Sequence, residues 1–255
     1  MKHKIMLPLL LYVVQVSNDY TLELALARWG HDVAVPLAAM LPAGTAAVTV
    51  AISRCRARGG SSVPKAPRRV VGSIGALLGI SSCLSLYSLD YVDFRTRLVI
   101  RSCKPAFVSV ALCLGAACGY TARLPSWPRA IAVGTGGLLY AVGGSPNGPE
   151  RGRAIAVTAI AIALIAEAAA TVMQGAWLQK KGTSAVQMAG RVNLYKIPFS
   201  VLVGLALCAG DTRALRPHLL PACVILSILG AIGQILIFSC ISQFGGEFTA
   251  SLGVG

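Results

Sequence analysis

Long apolar runs, each spaced from the next by a short polar or Gly/Pro-rich stretch, dominate the chain. Eight of them approach the roughly 17–25 helical residues needed to cross a bilayer core. They lie at about 5–26, 33–52, 70–89, 98–120, 130–145, 154–178, 195–210 and 219–244. None shows the strict apolar/polar alternation of half-buried strands, and several show no polar face at all, the pattern of helices surrounded by lipid. The pattern predicts an all-α, polytopic membrane helical bundle of about eight transmembrane helices, in a single transmembrane domain over residues 1–255. The fifth run, AIAVGTGGLLYAVGGS, is short and rich in glycine, and Asn18, Asp19 and Glu23 interrupt the second half of the first. MKHK followed by IMLPLLLYVV also has the basic start and apolar stretch of a signal peptide. No small-x-small cleavage site follows, so an uncleaved first helix is expected.

Composition agrees. Of 255 residues, 55% are hydrophobic and 13% charged, about half the charge of a soluble domain. The formal charge of +14 raises the question of nucleic acid. The cations fall between apolar runs rather than along one face, and aromatic residues make up only 6%, so no nucleic-acid partner is expected. Their distribution orients the chain instead. With the N-terminus and every second loop on one side, that side receives fourteen Lys/Arg and the other seven; Arg101 and Lys104 complete the 23. Excess Lys/Arg marks the cytoplasmic side, so both ends and the loop SRCRARGGSSVPKAPRRV are expected in the cytoplasm, the loop beside anionic headgroups.

No catalytic or metal chemistry is encoded in the pattern. The eight cysteines form no C-x-x-C pair, and His3, His31 and His218 lie outside the apolar runs. Neither H-E-x-x-H nor G-x-S-x-G occurs. The expectation is a protein that is not an enzyme and has no cofactor or metal.

The chemistry that remains is charge inside the membrane. Arg101 and Lys104 stand three residues apart in the fourth run, on one helical face. A cation at the bilayer centre costs at least ~2.5 kcal/mol unless it faces a cavity or a partner. Arg101 is near enough to a helix end to snorkel. Lys104 is deeper, and Pro105 after it removes a backbone donor and can kink the helix. Lys104 is therefore expected to answer an anion in a cavity. The competing expectation is an ion pair with Glu167, Asp19 or Glu23, and both hold if an acid occupies the lysine when substrate is absent. Gln174, two turns after Glu167 on the same face, Asn193 at the start of the seventh helix and Gln234 in GAIGQILIF are the polar residues expected to line the cavity. Gly72, Gly75 and Gly79, and Gly230 and Gly233, permit close helix packing.

The segment YSLDYVDFRTRLVIRSCKPAFV resembles the UAA family of nucleotide-sugar transporters, within the drug/metabolite transporter superfamily. Tyr91, Val92, Ser102, Cys103, Lys104 and Pro105 match its motif, and Arg101 replaces a lysine. AEAAATVMQGAWLQKKGTSAVQMAGRVNLY looks like the family's sixth helix and following loop, with Glu167 where an aspartate is usual. GAIGQILIFSCISQFGGEFTA looks like its eighth helix through Gly233, Gln234, Phe238, Phe244 and Gly245. The resemblance covers roughly residues 70–252. It implies a ten-helix, two-repeat transporter fold, here incomplete at the C-terminus because two helices would follow the eighth. It also implies exchange of a nucleotide sugar such as UDP-galactose or UDP-glucose for a nucleotide monophosphate, in the Golgi or endoplasmic reticulum membrane. Arg101, Ser102 and Lys104 then become substrate-binding, with Lys104 facing phosphate. SAVQM and QFGGEFT look similar to carriers of 3′-phosphoadenosine 5′-phosphosulfate, which makes that donor the alternative substrate, and a truncated inactive relative is a further alternative. Partners are thus substrate, counter-substrate and the lipid bilayer, with homo-oligomer formation left open.

Overall fold

The computed structural model describes residues 2–30, 33–57, 66–92, 94–117, 150–180, 183–207 and 220–251, with a few isolated positions near 130. The described residues are helical, with no strand. The elements are α1 (Lys2–Trp29), α2 (Ala34–Ala57), α3 (Arg68–Tyr87), α4 (Phe94–Arg101), α5 (Lys104–Ala117), α6 (Glu150–Lys180), α7 (Ala185–Leu207), α8 (Leu220–Phe244) and α9 (Gly246–Ser251). One short turn of 3₁₀ helix, Ser88–Asp90, follows α3.

Among the described residues, five segments are long and apolar enough to cross a membrane: Pro36–Cys55, Arg68–Tyr87, Val99–Ala117, Ala154–Gln179 and Leu220–Phe244. This fits a multi-pass membrane protein. α1 and α7 are as long but are not among the five, and in α7 Arg191, Asn193 and Lys196 dilute the apolar character. The expected fifth span, 130–145, lies almost wholly outside the described residues.

The outer surface is apolar. Leu9, Leu10, Val13 and Val16 on α1, Ile162 and Ile165 on α6, Leu202 and Leu205 on α7, and Val224 and Ile225 on α8 are all exposed. An apolar exterior of this extent needs a covering, and a bilayer supplies it. Ser81, Ser85, Arg97, Lys104, Glu167, Gln174 and Asn193 are buried instead. Several hydroxyls turn back onto their own helix, as Thr49 Oγ1 does in donating to Thr45 O (2.8 Å) and Thr171 Oγ1 to Glu167 O (2.8 Å).

α7 packs on α2, α3 and α8, while α6 packs on α3, α5 and α8. The glycines of α3 set the α3–α7 contact. A Cβ on Gly75 would lie 2.7 Å from Tyr195 Cβ and 2.9 Å from its carbonyl carbon; one on Gly79 would lie 3.1 Å from Lys196 O. Two backbones in near contact leave no room for a side chain between them. Cys83 Sγ also donates to Ser200 O across this seam (3.3 Å). At the other end of α8, Gly245 adopts φ 93° and its N–H bonds to Ile241 O (3.0 Å), an αL cap that turns the chain into α9.

Two sequence expectations change. The fourth run, read as one helix over 98–120, is broken at Ser102–Cys103 into α4 and α5. Pro105 has no N–H to donate, and its ring would clash with the carbonyl of Arg101 in a continuous helix. Ser102 N and Cys103 N bond three residues back, to Val99 O and Ile100 O (both 3.1 Å), closing α4 as a tight turn. The seventh helix begins at Ala185, ten residues before the expected 195. Its polar residues find partners inside: Arg191 Nη1 donates to Ala66 O (2.7 Å) and Asn193 Nδ2 to Thr49 Oγ1 (3.4 Å).

The α3–α7 seam gives the first prediction. Gly75→Ala should lower the Tm of the detergent-solubilised protein by the equivalent of about 1–3 kcal/mol, because the backbone of Tyr195 would have to move. Gly136→Ala, where a Cβ would meet nothing within 4 Å, should leave Tm unchanged or slightly raised. Thermal unfolding of the two variants side by side checks this.

Candidate functional site

Four helices meet at one carboxylate. Glu167, in the middle of α6, accepts a hydrogen bond at Oε1 from Ser81 Oγ of α3 (2.7 Å) and another from Arg101 Nη2 at the end of α4 (2.9 Å). Its Oε2 faces the Lys104 ammonium at the start of α5, 3.0 Å away. The three charged side chains are only 10–16% exposed. Low polarity around such a group strengthens each Coulomb contact and makes an unanswered charge expensive. Arg101 and Lys104 converge on one acid although they belong to separate helices, because the turn at Ser102–Cys103 keeps their sides aligned.

The cluster is one wall of a cavity of about 220 Å³ inside the bundle. Arg97, one turn before Arg101, is 3% exposed; it lines the cavity and donates Nε–H to Ser85 Oγ (3.1 Å). Lys196 of α7 and Asp19 of α1 line it as well. Gln15, Gln174 and Gln234 add neutral donors and acceptors, while Leu78, Leu226 and Phe238 supply apolar surface. The lining therefore holds four cations, Arg97, Arg101, Lys104 and Lys196, against two carboxylates, Asp19 and Glu167.

Of the residues singled out in the sequence, Lys104, Arg101, Glu167, Gln174 and Gln234 come together in this cavity. Ser102 does not line it: its side chain is exposed and its hydroxyl donates to Val99 O (2.6 Å). Asn193 is fully buried between α7 and α2, bonded to Thr49. Sequence reasoning missed Arg97 and Lys196, both assigned to loops. They leave the loop count one from each side, so the cation bias keeps its direction. A signal for Arg97 was present: Arg97, Arg101 and Lys104 recur at spacings of four and three, one helical face. Ser81 and Ser85, which hold Glu167 and Arg97, share the same i, i+4 spacing on α3.

Among the described residues no group of His, Cys, Asp and Glu could hold a metal ion. The arrangement is suited to holding an anion: four cations and several neutral amides line the cavity against two carboxylates. No family model matches the chain, and neither a curated protein nor a solved structure is found to be similar to it.

The ion cluster has a measurable consequence. Glu167→Gln should destabilise the protein by about 3–5 kcal/mol, because it leaves two buried cations facing each other. Lys104→Met alone should cost less, since Arg101 and Ser81 still answer the carboxylate. In the double variant Lys104→Met/Glu167→Gln part of the loss should return, with a coupling of about 1 kcal/mol or more in a double-mutant cycle. Thermal and denaturant unfolding in detergent measure all three.

Proposed function

We propose that the protein is a multi-pass membrane carrier of anionic nucleotide conjugates, exchanging a UDP-sugar such as UDP-galactose or UDP-glucose for a nucleotide monophosphate. The observation that carries this reading is the excess of cations in the cavity, four against two carboxylates. Charge placed inside a membrane bundle is costly and marks a substrate or ion path. A pyrophosphate bridge, with one negative charge on each phosphorus, matches an excess of two positive charges. Glu167 is then the resident counter-ion: it satisfies Arg101 and Lys104 when the cavity is empty and yields them to phosphate oxygens when it fills. Because Glu167 already accepts two hydrogen bonds and faces the Lys104 ammonium, binding and release suit this cavity better than bond cleavage does.

The motif around Lys104 and Pro105, and its resemblance to UAA-type transporters, support the same reading. In this proposal the chain crosses the Golgi or endoplasmic reticulum membrane about eight times, with cytoplasmic termini. Pockets that enclose drug-sized ligands run to roughly 300–1,000 Å³. A cavity of 220 Å³ therefore accommodates the phosphates, and the nucleoside and sugar need space opened by helix movement during alternating access. The second reading, a carrier of 3′-phosphoadenosine 5′-phosphosulfate, rests on the SAVQM and QFGGEFT segments and uses the same cations.

Proteoliposomes preloaded with UMP should take up UDP-galactose or UDP-glucose, or, on the second reading, the sulfate donor when preloaded with its adenosine phosphate. Lys104→Ala should abolish uptake, Lys104→Arg should impair it through bulk, and Arg101→Ala should be milder. If folded, inserted wild-type protein neither binds nor transports any of these conjugates, the proposal falls.

A further inference from the structure

Three of the four cavity cations have an assigned neighbour: Arg101 and Lys104 share Glu167, and Arg97 bonds to Ser85. Lys196 differs. Among the described residues, no carboxylate oxygen lies within 4 Å of its ammonium. It also enters from another wall. Arg97, Arg101 and Lys104 come from α4 and α5, whereas α7 packs on α2, α3 and α8 and brings no other charge to the cavity. Its backbone is held in place from behind: a Cβ on Gly75 would stand 3.0 Å from Lys196 N, and one on Gly79 3.1 Å from Lys196 O. The backbone at Lys196 is therefore packed closely against α3. Pro198 two residues later interrupts the α7 hydrogen-bond ladder beside it. An ammonium has three donors to satisfy, and among the described residues no carboxylate is close enough to form an ion pair with this one.

We infer that Lys196 is a ligand-binding residue that takes one acidic group of the substrate while Arg101 and Lys104 take another, so that the cavity selects ligands bearing two acidic groups over ligands bearing one. The inference rests on the reading of the cavity as the site of an anion carrier, and adds to it a second contact point and a basis for charge selectivity. A mono-anion satisfies one wall and leaves the other cation dehydrated; a dianion of pyrophosphate length satisfies both.

The test compares wild type, Lys196→Met and Lys196→Arg as full chains in liposomes, with two probes: UDP-glucose, which has two acidic groups, and the methyl ester of UMP, which has one. Lys196→Met should lose about tenfold or more in affinity for UDP-glucose with little change for the ester, and Lys196→Arg should restore most of the difference. Equal weakening of both probes, or unchanged selectivity, would mean that Lys196 is structural and would overturn the inference. A wild type that binds neither probe would count against the nucleotide reading, and a second arm then decides the role of Lys196. A cysteine introduced by Gln234→Cys is labelled with thiosulfonate reagents of opposite charge, and labelling is read at that residue by mass spectrometry. Lys196→Met should lower the anionic-to-cationic rate ratio at least about threefold. An unchanged ratio overturns the inference whatever the nucleotides do.

Discussion

A carboxylate withdrawn from water must have its charge answered by its neighbours, and at Glu167 the answer comes from three other helices. Ser81, Arg101 and Lys104 reach it from α3, α4 and α5 at 2.7–3.0 Å. Nothing nonpolar could substitute there without abandoning two cations, so the residues of this junction are interdependent. The junction also sets the order of consequences in the fold. α6 must run through the centre for Glu167 to be reached, and α3 must lie against it for Ser81 to donate. α4 and α5 must meet at the same depth.

Elsewhere the protein resolves the requirements of lipid in the ordinary helical way. Helical hydrogen bonds satisfy most of the backbone internally, many apolar side chains face outward, and several hydroxyls bond back to their own helix's carbonyls. Close association then depends on small residues rather than on a hydrophobic drive, because lipid tails are as apolar as leucine. Gly72, Gly75 and Gly79 supply that closeness between α3 and α7. The same seam positions Lys196, so packing and cavity charge are set by one run of glycines.

Legibility in the sequence followed physical causes. The limits of α3 and α8 were readable to within about two residues, because their apolar runs stop at clear polar or glycine boundaries. The start of α7 was not, since Arg191 and Lys196 read as loop, and Asn193 as the opening of the helix, until their partners are known: a carbonyl at Ala66, a cavity and a hydroxyl at Thr49. Hydropathy scores a residue against lipid, whereas these three face protein. The pairing of Lys104 with Glu167 was legible as one of several acids, because intramembrane charges are few and must meet. Ser81 was not, because serine on a membrane helix usually bonds to its own backbone, and only the packing of α3 against α6 turns it towards an acid. The short fifth run lies outside the described residues.

The break at Ser102–Cys103 has a mechanical meaning. Two residues three apart on a continuous helix are about 4.5 Å apart along the axis, whatever surrounds them. Arg101 and Lys104 sit instead on the ends of two separate rods joined by a two-residue link. Their spacing is therefore a function of the angle between those rods. A different angle would place the two positive charges at a different separation with the hydrogen bonds inside each helix unchanged. The turn beside Pro105 thus sets the separation at which the two charges meet Glu167.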